Sequence, residues 1–381
     1  MKLTVLTSLF KEIDMEEKNK LLEAREIINE VDHEMAALFC RRMEAARLVA
    51  EHKKEYGLPI LDTAREEQVI RKNSEYLEDQ PEEVKACYVN FLRETMAVSR
   101  HYQSRLMEGM KVAYSGTEGA FAYIAAGKIF PTAQKIGYGN FQAAYDSVVK
   151  GECDVAVLPM ENSSAGEVGQ VADLLFSGPL YVNDTFDLAV VHDLLILPGA
   201  KIEDVKTVVS HPQALSQCAP YIRAHGWTER EYVNTALAAE YVAKKGDKSL
   251  AAIASADAAE IYGLEVAAGR INETANNTTR FAVISSVRNK APESRSTDMS
   301  FILMFTVKNE AGSLAKAIDI IGLHDFNMKS LRSRPMKELL WQYYFYVEAE
   351  GNIDSREGRD MIRELSAFCH QLKIIGSYSK R

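Results

Sequence analysis

Residues 276–285 read NNTTRFAVIS, in which two amides, two hydroxyls and a cation stand directly against an apolar run, Phe281 to Ile284. The apolar half has the length and composition of a buried strand. Asn and Thr suit turns, so taken alone the polar half marks a turn before that strand. Neighbouring side chains on a strand point to opposite faces, so only one of Thr278 and Thr279 can face what lies at the strand's mouth. The surroundings decide the fold. From Lys111 to Val287 short apolar runs alternate with helical segments, the pattern of a mostly parallel sheet covered by helices.

The chain has 381 residues, 47% hydrophobic and 26% charged, with a formal net charge of −9. That length predicts about two or three domains. No apolar run approaches the roughly 20 residues needed to cross a bilayer. The opening Met1 to Phe10 lacks a small-residue cleavage site and runs into Lys11, Glu12 and Asp14, so a cytosolic protein is expected. The negative balance argues against nucleic acid or an anionic membrane as partner, and an anionic substrate must meet locally concentrated cations. Cys40, Cys87, Cys153, Cys218 and Cys369 form no CxxC pair and read as reduced core residues.

Residues 15–106 carry helical periodicity over Glu16 to Lys54, Asp62 to Leu77 and Pro81 to Leu106, and because the clean pattern begins at Met15, residues 1–14 are expected to be dispensable or to belong to a misassigned start. On the first helix the apolar stripe Ile28, Val31, Met35, Leu38, Ala45 and Val49 is interrupted by Arg42 and Lys53. Those two cations are about three turns apart and nearly on one face, whereas Arg25 is rotated from Arg42 by roughly 100°. A stripe longer than two short helices can cover predicts a dimer, with Arg25 entering the partner's site. Arg25 and Arg42 could instead snorkel or pair with acids such as Asp32. Asp62 suits an N-cap, Arg65 and Glu66 return to its face, and Ser99 and Gln103 share a face as i and i+4.

Arg25, Arg42, Lys53, Asp62, Arg65, Glu66, Ser99 and Gln103 fall in the order and spacing of the active-site residues of all-helical chorismate mutases, which this region resembles. The resemblance implies an intertwined homodimer and rearrangement of chorismate to prephenate, a reaction needing no nucleophile and no proton transfer. It requires a dicarboxylate held in its compact conformer and stabilisation of charge developing on the ether oxygen. By resemblance Arg42, Ser99 and a partner's Arg25 clamp the carboxylates, and Lys53 and Gln103 donate to the ether oxygen. Glu66 accepts from the ring hydroxyl, with Asp62 and Arg65 ordering that end.

In residues 110–288 polar clusters recur where strands hand over to helices: YSGTEG from Tyr114, ENSSAG from Glu161, SHPQ from Ser210, Asn234-Thr235 and Ser255. Carboxyl ends of parallel strands line the ligand crevice, where helix N-termini offer N–H groups to an anion. Neither GxGxxG nor GxxxxGK[ST] follows a strand, so neither a nicotinamide nor ATP is expected. His192, His211 and His225 lack ligand-like spacing and read as surface or cap residues, so no metal is expected either.

The segments KVAYSGTEGAFAYIAA, VLPMENSSAG, VVSHPQALSQC and TTRFAVIS resemble, in order, the signatures of prephenate dehydratases. The resemblance implies an α/β, two-lobed, periplasmic-binding-protein-like fold. Lys111 to Asp187 with Asn272 to Val287 would form one lobe, and the chain between them the other. The implied reaction takes carbon dioxide and the ring hydroxyl from prephenate, with no cofactor. Thr279 would donate a hydrogen bond to the departing hydroxyl. Asn162, Ser163, Ser210, Gln213, Gln217 and Thr235 would orient the substrate, and Arg280 would meet a carboxylate or brace the loop. Glu161 is either a second acid or a loop-ordering carboxylate.

Arg288 to Asp298 reads as a linker, and residues 299–381 fit β-α-β-β-α-β, an α+β ferredoxin-like pattern whose fourth segment begins at Trp341. With Gly312, Ser313 and Leu314 opening the first helix and Arg332, Ser333 and Arg334 ending a strand, this part resembles an ACT regulatory domain. The resemblance implies phenylalanine as effector and edge-to-edge pairing, which would allow a tetramer. Arg332 stands where the dehydratase pattern has Glu, so weaker phenylalanine binding is expected. A mutase fused to prephenate dehydrogenase is disfavoured by the missing dinucleotide fingerprint. A non-catalytic dicarboxylate or amino-acid sensor is the alternative outside enzymes.

Overall fold

The computed structural model describes residues 2–274, 276–290, 298–336 and 342–379, with backbone alone for 2–19. The chain divides after Gly109 into two compact units. In the first, helix α1 (Lys2–Tyr56) contains neither Gly nor Pro, so nothing interrupts it at Met15, where the apolar pattern predicts its start. Gly57, at φ 64°, ends it. Helix α2 (Thr63–Glu75) is capped by Asp62, whose carboxylate accepts from the Arg65 N–H at 2.9 Å. Helix α3 (Glu82–Glu108) packs along α1.

Among the described residues the buried apolar side chains of this unit are Ala46, Ala50 and Met96. Leu21, Ile28, Val31, Leu38 and Leu48 on α1 are all more than 45% exposed, so the stripe is left uncovered within one chain. Cys40 and Cys87 are exposed too, against the expectation of core cysteines; only Cys153 and Cys218 are buried. Their helices have too little covering them to make a core.

The second unit begins with β1 (Lys111–Ser115), α4 (Phe121–Ile129), β2 (Gln134–Tyr138), α5 (Phe141–Val149), β3 (Val155–Asn162), β4 (Gly166–Glu167), α6 (Gly169–Ser177) and β5 (Tyr181–Ala189). A second lobe follows: β6 (Asp193–Ile196), β7 (Thr207–Ser210), α7 (Pro212–Gln217), α8 (Ala219–His225), β8 (Thr228–Glu231), α9 (Thr235–Lys245), β9 (Leu250–Ala254), α10 (Ala256–Tyr262) and β10 (Glu265–Ala268). The chain then returns to the first lobe as β11 (Thr278–Ser285), the strand within NNTTRFAVIS. The lobes hold separate sheets, β5-β11-β3-β1-β2 and β10-β6-β9-β7-β8. This two-crossing layout is the one expected, and it sets β11 antiparallel between β3 and β5.

The remaining chain forms β12 (Met299–Thr306), α11 (Ser313–Leu323), β13 (Asn327–Pro335), β14 (Tyr343–Glu350), α12 (Arg356–Phe368) and β15 (Gln371–Ser379), in the ferredoxin-like order β13-β14-β12-β15. The expected strand start at Trp341 lies outside the described residues. One face of this sheet, with Phe301, Leu303 and Val347, packs on α11 and α12. The other, with Ile302, Met304, Tyr344 and Tyr378, shares a core with Leu175 and Val182 of the first lobe.

A tethered, separate domain is therefore not what forms. Strand β15 runs parallel to β5 with Gly376 opposite Val182, which joins both regions in one ten-stranded sheet. Of the expected linker, residues 291–297 lie outside the described residues, and Arg288 at its start is ion-paired with Asp354 at 2.5 Å. A Cβ at Gly376 would collide with the Val182 carbonyl. Gly376→Ala is accordingly expected to cost about 1–3 kcal/mol. Urea unfolding of the full chain checks this, and an unchanged midpoint would show the close approach to be dispensable.

Candidate active sites

On the helical unit, the Arg42 guanidinium donates to the Ser99 hydroxyl and, at 3.2 Å, to the Thr95 carbonyl. Burial lowers its pKa. Ser99 and Gln103 are buried although polar, and Gln103 Oε1 has no partner among the described residues. A buried amide oxygen without a bond is costly unless something else fills the site. Lys53 Nζ bonds the Ile60 carbonyl at 2.5 Å and Arg65 bonds Gln68 at 2.7 Å. Glu66 pairs with Arg100, a cation that the sequence reading did not single out. Arg25 is exposed. At 1.5 Å per residue it lies roughly 25 Å along the helix axis from Arg42, too far to share a site within one chain.

In the second unit a cavity of about 390 Å³ opens between the lobes. Asn162, at the end of β3, explains its polarity. Asn162 Oδ1 accepts from the backbone N–H groups of Ser164 (3.0 Å) and Ala165 (2.8 Å), which fixes the amide's orientation. Its Nδ2 must then point the other way, donating to Asn277 Oδ1 (2.8 Å) and Thr279 Oγ1 (2.9 Å). Since Thr279 accepts here, its own proton remains to be donated elsewhere. Asn277 Nδ2 donates to Gln217 Oε1 (3.0 Å), which His192 Nε2 also meets at 2.9 Å. With Oε1 taken twice, the NH₂ end is the donor that Gln217 has left where it lines the cavity.

His192 is not the surface or cap residue expected. It is 3% exposed, and burial lowers its pKa, which leaves a neutral ring with its proton on Nε2 and Nδ1 without a protein partner among the described residues. Gln213 and Thr235 reach the cavity from the second lobe. None of the described residues lining it is Lys or Arg, so the expected local cations are missing. The N-termini of α4 and α9, whose first residues, Phe121 and Thr235, line the wall, bring unpaired backbone N–H groups there instead, beside the carboxylate of Glu167.

Four expected contacts fall elsewhere. Ser210 is fully buried and donates to the Ile253 carbonyl at 2.6 Å. Ser163 bonds the Asn276 carbonyl (2.8 Å) and the Thr278 N–H (2.9 Å), pinning the loop before β11. Arg280 and Glu161 alternate away from Thr279 and Asn162, so they lie on the reverse of the same two strands. There Arg280 meets Asp187 at 3.0 Å and Glu348 at 3.6 Å, and the Asp187 bond raises its pKa. Glu161 pairs with Arg332 at 2.6 Å. Asn277, His192 and Glu167, which also line the cleft, were missed because they belong to no strand-to-helix cluster.

The expected regulatory residues divide between two faces. Gly312, at φ 83°, admits the chain to α11, and Leu314 lines a cavity of about 340 Å³ with Asn309, Tyr343 and Phe345. Ser313 is buried and Ser333 exposed. Arg332 and Arg334 point instead to the dehydratase-like lobe, the latter bonding Asp173 at 3.1 Å and Tyr344 at 2.9 Å.

A family model described as chorismate mutase type II matches residues 24–104, and one described as prephenate dehydratase matches 112–289. Arogenate dehydratase 2 of Petunia hybrida is 34% identical over 285 residues, covering 71% of each chain. The bifunctional chorismate mutase/prephenate dehydratase of Buchnera aphidicola is 28% identical over 384 residues, covering 96% of this chain and 97% of its own. The structure of a prephenate dehydratase from Arthrobacter aurescens in complex with L-Phe, 24% identical, shares the fold at a TM-score of 0.66 over 71% of this chain and 90% of that one. With both regions present in this order on one polypeptide, the chain belongs to the bifunctional chorismate mutase/prephenate dehydratase family, enzymes of phenylalanine biosynthesis that convert chorismate to prephenate and prephenate to phenylpyruvate.

Proposed function

We propose that Thr279 is the hydrogen-bond donor to the hydroxyl that leaves prephenate. The observation that carries this reading is the bond from Asn162 Nδ2 to Thr279 Oγ1, which commits the threonine to accept within the protein and leaves its proton to the cleft. In the reaction the ring carboxylate departs as carbon dioxide, its bonding electrons enter the ring, and the hydroxyl is expelled and protonated to water. Aromatisation drives the step, so a positioned donor with partial proton transfer is sufficient. The Gln217 amide, Gln213, Thr235 and the N-termini of α4 and α9 would hold the carboxylates from both lobes.

In the helical unit Arg42 and Ser99 would take a carboxylate of chorismate, Lys53 and Gln103 the ether oxygen, and Glu66 the ring hydroxyl, with Asp62 and Arg65 ordering that end. Arg25 would complete the site of a second copy, whose apolar stripe would cover the one left open on α1. The C-terminal domain would be of the ACT type, with phenylalanine at the Leu314 cavity. The expected location is the cytoplasm.

Thr279→Ala should lower dehydratase kcat by about 10²–10³, with mutase activity intact. Thr278→Ala should stay within about twofold. Asn162→Asp should act like Thr279→Ala, because a carboxylate at 162 would accept the hydrogen bond from the threonine hydroxyl and hold its proton away from the leaving group. Phenylpyruvate absorbance in base reads all three, and full activity in Thr279→Ala would end the proposal.

Arg25→Ala and Arg42→Ala chains, each inactive as mutases, should regain about a quarter of wild-type activity when mixed after co-expression, since half the dimers then hold one intact site. No regain would place Arg25 outside a shared site. Calorimetry with phenylalanine should give saturable heat, and none at all would remove the effector.

A further inference from the structure

Strands β3 and β11 carry two adjacent rungs, Thr279 opposite Asn162 and Arg280 opposite Glu161. The first faces the cleft and the second the C-terminal domain. The ladder between these strands is irregular between Arg280 and Phe281, so regular pairing does not by itself fix the rungs at its end. What meets them from behind belongs to strands β13 and β14. Arg332 reaches Glu161 at 2.6 Å and lies over the Tyr346 ring, 5.4 Å from its centroid. Glu348, 5% exposed, stands 3.6 Å from Arg280 and accepts from the Tyr378 hydroxyl at 2.7 Å. The space among these side chains is only about 10 Å³, room for no ligand, so this is a packed joint and not a pocket.

We propose that the pairs Arg332–Glu161 and Arg280–Glu348 act as a clasp by which the C-terminal domain positions Thr279 and Asn162, making Arg332 and Glu348 positioning residues for the dehydratase step. The proposal rests on the reading of Thr279 and Asn162 given above. Each clasped residue is covalently next to a cleft residue and paired with a charge some 170 positions or 70 positions away in sequence (332 − 161 = 171; 348 − 280 = 68). Arg280 keeps its bond to Asp187 inside the first lobe, so the Glu161 rung depends on the C-terminal domain more than the Arg280 rung does. Burial alone would lower the Arg332 pKa, but Glu161, with Tyr346 and Glu167 behind it, raises it on balance, so the guanidinium stays charged. A displaced strand pair would turn the Asn162 amide and the Thr279 proton away from the departing hydroxyl. A shift of this kind affects the chemical step more than binding, since Gln213 and Thr235 sit on the other lobe.

The test uses the full-length chain with Arg332→Glu, Glu161→Arg and the double exchange Arg332→Glu/Glu161→Arg, assayed for both activities on each preparation. Neither residue lies in the helical unit, so mutase rate serves as the internal standard. Each single exchange should lower dehydratase kcat roughly 10–100-fold while the KM for prephenate moves less than about threefold. The double exchange should recover to within about fivefold of wild type. Arg332→Met, which keeps length and stacking without introducing a like charge, covers the case in which a reversal fails to fold, and should lower kcat about 10-fold. Wild-type kcat in Arg332→Met, or a double exchange no better than the worse single one, would overturn the clasp. If Thr279→Ala also retains activity, the reading of the cleft has failed; if Thr279→Ala is inactive while Arg332→Met is normal, only the clasp has.

Discussion

The two-residue period of a β-strand is the constraint on which the second unit depends. Because Thr279 and Arg280 are neighbours on β11, a hydroxyl is delivered to one face of the sheet and a guanidinium to the other, with Asn162 and Glu161 doing the same from β3. At these two rungs the cleft face receives the neutral pair Thr279 and Asn162, while the reverse face receives the charged pair Arg280 and Glu161. A slip of one residue in register would exchange the two sets and turn Arg280 into the cavity between the lobes. The buried run Phe281 to Ile284 resists such a slip, since both of its faces are packed.

The helical unit obeys the opposite economy. Its longest helix, roughly 80 Å at 1.5 Å per residue, presents more apolar surface than α2 and α3 can cover, and its buried polar groups Ser99 and Gln103 sit where an ordinary bundle would put leucines. Polar residues in so thin a core weaken it. Under the dimer proposed above, a second chain and the substrate would complete the packing together, which would tie stability to site formation.

Much of this was legible in the sequence because it is local. Helical and strand periods, the Asp62 cap, the Gly57 break and the six-element order of the C-terminal region all follow from residues within a few positions of one another. The cleft positions of Thr279, Asn162, Gln213 and Thr235 were legible for the same reason, each standing at a strand end or helix start, while Gln217 closes the short helix α7. The facing of Glu161 and Arg280 was not, because their partners Arg332 and Glu348 come from another part of the chain. His192 and Asn277 were missed because a buried hydrogen-bond chain leaves no periodic trace. Ser210 suited the cluster pattern but its hydroxyl was needed by a backbone carbonyl inside the core. The joined sheet rests on a single rung whose only sequence mark is Gly376.

A cleft without lysine or arginine among its described lining residues has a consequence for turnover. Dipoles and amide donors hold an anion through the number of oxygens they can bond at once, whereas a fixed cation attracts at a distance. Prephenate brings two carboxylates and phenylpyruvate only one. With prephenate held in this cleft as proposed, the loss of one carboxylate as neutral carbon dioxide would remove a share of the bonds in the same step that makes the product, and the grip would loosen without any switch.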